Sequence, residues 1–166
     1  MVWVRSEYAG ELAVLLTWLS VLVPWNATYS PDVVGGALSI WFPFFQVRYV
    51  VGLPAVAGFS VLDLFSARAL QSGTSAYVGY SVWVVGAMVV AVAVVVSLVY
   101  YAREERVEAA SIDPVRTLGV CHLLAGGIFG VATYLLATRG LPGYPLPVGV
   151  VLFLGFGVVL LTVERT

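Results

Sequence analysis

The chain has no lysine, one cysteine (Cys121), one histidine (His122), and charged residues at 10% of its positions. A lone cysteine rules out a disulfide within the chain. With a lone histidine it cannot furnish the usual four-ligand Cys/His zinc set. Eight arginines against nine acids give a formal net charge of −1, with no basic patch for nucleic acid and no like-charge run for anionic lipid heads. Phosphate-binding glycine loops, dinucleotide fingerprints and H-E-x-x-H zinc motifs are missing as well. No cofactor, no metal and no nucleic-acid partner is expected.

What is present is apolar: 61% of the residues, with a mean hydropathy of +1.00, where soluble domains carry about 25% charge. The composition reads as an integral membrane protein whose surroundings are the lipid bilayer. Its 166 residues suit one membrane domain without a second, soluble one. The first apolar run, Leu12 to Trp25, follows Arg5 but also Glu7 and Glu11, and no A-x-A site comes after it. It reads as an uncleaved span.

Five spans are expected, at about 8–25, 47–66, 77–101, 114–137 and 147–163, making an all-α membrane bundle. The third is the clearest: Tyr80 and Tyr100 lie twenty residues apart, roughly 30 Å of helix and one hydrocarbon thickness between two aromatic belts. Asp113-Pro114 fits the N-cap and first position of the fourth. Arg48 and Arg68 bracket a second apolar stretch of the same length, kinked near Pro54. Between the first two spans, 26–47 is broken by Pro31, Gly35-Gly36 and Pro43 and reads as a short hairpin or irregular flap. Its Trp41, Phe42, Phe44 and Phe45 suit the headgroup layer.

With five spans, Arg48, Arg103, Arg106, Arg116 and Arg165 share one side, and Arg5, Arg68 and Arg139 the other. The positive-inside rule then puts the N-terminus outside, and the flap, the charged 102–113 loop and the C-terminus in the cytoplasm. Asn26-Ala27-Thr28 matches a glycosylation acceptor, and this orientation keeps it away from any transferase.

Ionisable groups at membrane depth are functional candidates by default. Asp63, five residues before Arg68, is a candidate proton or cation site, with Glu11 opening the first span on the same side of the membrane. His122 and Arg48 lie toward the opposite side; a neutral imidazole there donates one inter-helix hydrogen bond. Ser60 and His122 are the minimum for nucleophilic catalysis, but they are expected at different depths and Ser60 lacks a strand-to-helix elbow. No catalytic residue is expected.

The segments "MVWVRSEYAGELAVLLTWLSVLVPWNATYS", "FPFFQVRYVVG" and "YYAREERVEAASIDPVR" resemble a family of small multi-spanning membrane proteins from halophilic archaea. That family has no assigned activity, so the resemblance implies a location and lineage without a mechanism. The expected role is a non-enzymatic scaffold or accessory subunit. It would meet a membrane-protein partner, or a second copy, through the 26–47 flap and the 102–113 loop. The alternative is a small transporter or channel built on Asp63.

Overall fold

The computed structural model describes residues 8–32, 35–52, 54, 58–103, 113–139 and 143–163. Helix α1 (Ala9–Leu22) leads into strands β1 (Asn26–Ser30), β2 (Ala37–Trp41), β3 (Phe45–Val50) and β4 (Phe59–Asp63). A short helix α2 (Leu64–Ala69) then precedes two long helices, α3 (Tyr77–Ala102) and α4 (Pro114–Arg139). Strand β5 (Tyr144–Leu146) and helix α5 (Val148–Thr162) complete the described chain. The five strands form one sheet in the order β4-β3-β2-β1-β5, with every neighbouring pair antiparallel.

Helices α3 and α4, 26 residues each, are long and apolar enough to cross a membrane; α1 and α5 are apolar but shorter. The four pack as an antiparallel set, with α4 against both α3 and α5, and α1 against all three. Small and polar side chains face inward. Thr17, Ser20, Ser97, His122 and Thr133 are buried, while Leu15, Leu22, Val92, Met88, Val131, Val151 and Val158 are exposed. Gly119 and Gly157 mark a close crossing of α4 and α5, where an added Cβ on either would meet the other's carbonyl oxygen. Asp113 caps α4, its Oδ1 accepting from the Val115 and Arg116 amides at 2.9 and 3.3 Å. Proline at the first helical position forfeits nothing there.

Sheet and helices meet in an aromatic core. Trp25, Trp41 and Trp83 are wholly buried; Trp25 stacks on Phe129 at 5.1 Å, and Trp41 lies 4.8 Å from Tyr80 and 5.2 Å from Trp83. The Trp83 indole N–H donates to the carbonyl of Pro43 at 2.9 Å. This cluster fixes the turn between β2 and β3 against the first turns of α3.

The expected all-α bundle of five membrane helices is therefore corrected to a mixed architecture of four principal helices and a five-stranded antiparallel sheet. Residues 47–66 are not a span: they hold most of β3, all of β4 and the start of α2. The twenty-residue gap between Arg48 and Arg68 imitates a bilayer thickness by coincidence. The local pattern is two-fold instead, with Phe45, Val47 and Tyr49 on one face and Gln46, Arg48 and Val50 on the other. Gly35 and Gly36, both at positive φ (79° and 87°), do turn the chain between β1 and β2. What they open is an integral sheet, whose first strand also pairs with a segment from the far end of the chain.

With no helix at 47–66, the ends that share a side change. The sheet adjoins the C-terminus of α1, the N-terminus of α3, the C-terminus of α4 and the N-terminus of α5. Arg103 and Asp113 lie at the opposite end of the two long helices. The flap and the described flanks of the charged loop, Arg103 and Asp113, lie at opposite ends of the long helices, and residues 104–112 of that loop lie outside the described residues.

Candidate functional site

Cross-strand register lines up small polar residues on the inner face of the sheet. Thr28, Ser39, Arg48 and Ser60 are successive partners across β1, β2, β3 and β4; the next row toward α1 is Asn26, Trp41, Gln46 and Leu62. Below these rows, α2 and the start of α3 leave a cavity of about 80 Å³, room for several waters or one small anion. Its lining includes Thr28, Ser30, Ser39, Gln46, Arg48 and Gln71.

The electrostatics are one-signed. Arg48 is the charged residue among those lining the cavity; it makes no hydrogen bond or ion pair with another described residue. Gln46 is buried and accepts from the Tyr80 hydroxyl at a long 3.5 Å. Trp41 also lines the cavity, but its indole N–H is sealed in the core and does not reach it. An exposed guanidinium at the edge of a small space lined by hydroxyl and amide side chains suits an anionic oxygen group. Leu62, Ala67 and Leu70 close the other side.

The other expected site residues are dispersed. Asp63 is not in a span: it ends β4, fully exposed, and caps α2, its Oδ1 accepting from the Phe65 and Ser66 amides at 2.9 and 3.0 Å. The Ser66 hydroxyl, together with the Ser66 and Phe65 amides, holds its carboxyl below the usual carboxylate range. A depressed folded pKa stabilises the fold above the unfolded value, and that stability is lost as pH falls through the lower, folded one. Acid titration of folding is accordingly expected to flatten below pH ~4 in Asp63→Asn relative to the parent; identical profiles would remove the cap's electrostatic role.

His122 is buried within α4, where its Nδ1–H donates to the Leu118 carbonyl at 2.8 Å. Its Nε2, beside Phe153 and Phe156, has no hydrogen-bond partner among the described residues. Glu11 is exposed in the first turn of α1, where a carboxylate complements the helix dipole. Ser60 on β4 and His122, eight residues along α4 from the end remote from the sheet, form no nucleophilic pair. Asn26 of the glycosylation pattern is 1% exposed, its amide nitrogen donating to the Thr28 hydroxyl at 3.0 Å. In the folded chain the acceptor side chain is therefore inaccessible.

Sequence reasoning singled out Arg48 but not its companions Thr28, Ser39, Gln46, Gln71 and Tyr80. The available signal was a polar residue at alternate positions of "NATYS" and, as Gln46 and Arg48, of "FQVRYV", with Ser39 central in "ALSIW". Among the described residues, no three of His, Cys, Asp and Glu gather as a metal site.

No curated protein matches the chain. A family model does, over residues 2–165, and the chain belongs to the family of unknown function DUF7549.

Proposed function

We propose that this protein is a multi-pass membrane protein of four crossings that acts without catalysis, as an accessory component holding a small anionic group in the cavity beneath its sheet. The membrane reading is supported by the distribution of side chains: large aliphatic residues outward and small or polar ones inward, as helices packing in lipid require. Arginines recounted over four crossings fall at Arg5, Arg103, Arg106, Arg116 and Arg165 around one end, and Arg48, Arg68 and Arg139 around the other. The positive-inside rule then favours cytoplasmic termini and a sheet on the outer side.

The binding reading rests on one observation: Arg48, exposed and without a hydrogen-bond or ion-pair partner among the described residues, lines a polar cavity with no carboxylate among its lining residues. A phosphate or carboxylate has the matching chemistry, whether free or on a lipid headgroup. The test is thermal unfolding of the detergent-solubilised protein during titration with inorganic phosphate and, separately, with phosphatidylglycerol. Both the parent and Arg48→Gln are measured. A rise in Tm of the parent with either probe, lost in Arg48→Gln, is the expected result. Equal shifts in both proteins, or none in the parent, overturn it.

Transport through Asp63 finds no support in this geometry, because that carboxylate is spent on capping α2 at an exposed position.

A further inference from the structure

The sheet is polar on the side turned to the protein and apolar on the side turned away. On its outer face, Ala27, Ile40, Val47 and Val61 are partners in one row, joined by Leu146 of β5. The next row farther from α1 is Tyr29, Leu38, Tyr49 and Phe59, joined by Tyr144. The members of this second row are exposed, from 39% for Leu38 to 73% for Tyr144. An apolar face of five strands facing water is the kind of patch that marks an interaction surface.

We infer that this face lies against lipid at the membrane interface, so that the sheet is a seat in the bilayer. The inference rests on the membrane-spanning reading and goes beyond it. Three observations choose lipid over a protein partner. The first is position: Trp41 of β2 packs on Tyr80 and Trp83 inside the buried core, so the sheet is fixed directly on the end of α3 with no spacer between them.

The second is length. Helix α1 has 14 residues and α5 has 15, about 21–23 Å against the roughly 30 Å of a hydrocarbon core. Each continues directly into a strand, α1 into β1 and α5 back into β5, and strand residues rise about 3.3 Å each. The aliphatic row continues the apolar surface of these helices into the interface, as far as Tyr29 and Tyr144, which are register partners.

The third is the order of side chains along the strands: aliphatic, then tyrosine, then the hairpin carrying Asp32. A bilayer imposes this gradient from core to headgroup to water. Asp63, at the helix-proximal end of edge strand β4, is the one charge on the outer face among the described strand residues. With the open edges of β4 and β5, it limits the depth to the wet interface, because neither a carboxylate nor an unpaired strand edge persists in hydrocarbon.

Nitroxide labels on single cysteines, in a Cys121→Ala background reconstituted in phosphatidylcholine–phosphatidylglycerol vesicles, test the seat. The positions are Val61 and Tyr49 on the sheet, Val151 on α5 and Asp32 in the hairpin. Each label's collision rate with oxygen, which partitions into lipid, is compared with that of an aqueous nickel chelate. The expected oxygen-to-nickel ratio at Val61 is several-fold above that at Asp32 and close to that at Val151, with Tyr49 between. Ratios at Val61 and Tyr49 equal to that at Asp32, with Val151 still lipid-like, overturn the seat and leave the membrane reading standing. Protection of both sheet labels from both reagents also overturns it, in favour of a protein cover such as a second copy. An aqueous Val151 removes the membrane reading itself.

Discussion

Trp25→Ala is expected to destabilise the protein by about 3–5 kcal/mol, the range for emptying a large aromatic site in a packed core. Trp25 is wholly buried and touches the three parts of the fold that must be held together. Its ring lies 5.1 Å from Phe129 of α4, 5.6 Å from Trp41 of β2 and 6.1 Å from Trp83 of α3. Its indole N–H has no acceptor among the described residues, so the loss is one of packing alone. Trp25→Phe keeps most of that contact and is expected to lose less than half as much. Equilibrium unfolding in detergent micelles measures both; a loss below about 1 kcal/mol for the alanine variant sinks the assignment of this cluster as the joint between sheet and helices.

Gly149→Ala is expected to be the most damaging of the small changes. A Cβ at Gly149, in the first turn of α5, meets the Pro24 carbonyl oxygen and the Trp25 Cα. These are backbone atoms, which cannot swing aside as a side chain does. Helix α5 must shift, and the shift carries into its crossing with α4 at Gly119 and Gly157. The cost belongs at or above the upper end of about 1–3 kcal/mol for overpacking. Gly155→Ala on the same helix is the control, because nothing lies within 4 Å of its Cβ position. Better helix propensity makes that change neutral or stabilising by up to about 1 kcal/mol. Similar losses for the two variants would show that α5 does not pack on Trp25 as described.

Helices α3 and α4 were legible because they state their own ends: tyrosines at the limits of an uncharged run in one, and an Asp-Pro cap in the other. The sheet was not, and the reason is chemical. Its alternation is polar inward and apolar outward, so Phe45, Val47, Tyr49, Phe59 and Val61 add to a hydropathy sum just as a helix would. Strand β5 has three residues, one of them Pro145, and gains its meaning only from pairing with β1. The site was half legible. Arg48 stands out in any apolar chain, but Thr28, Ser39 and Gln46 become its neighbours through register, which no local pattern reveals.

Strand order also sets the sequence of events in biogenesis. Strands β1 to β4 pair as a meander of consecutive neighbours, while the other edge of β1 waits for β5, with Ala27 partnered by Leu146. A ribosome must deliver both long helices before that partner exists. Until then β1 presents an open edge, the feature most prone to mispairing between nascent chains. Closure of the sheet and docking of α5 are therefore one late, non-local step. A chaperone or insertase that shields β1 meanwhile would act on a transient that the finished molecule no longer displays.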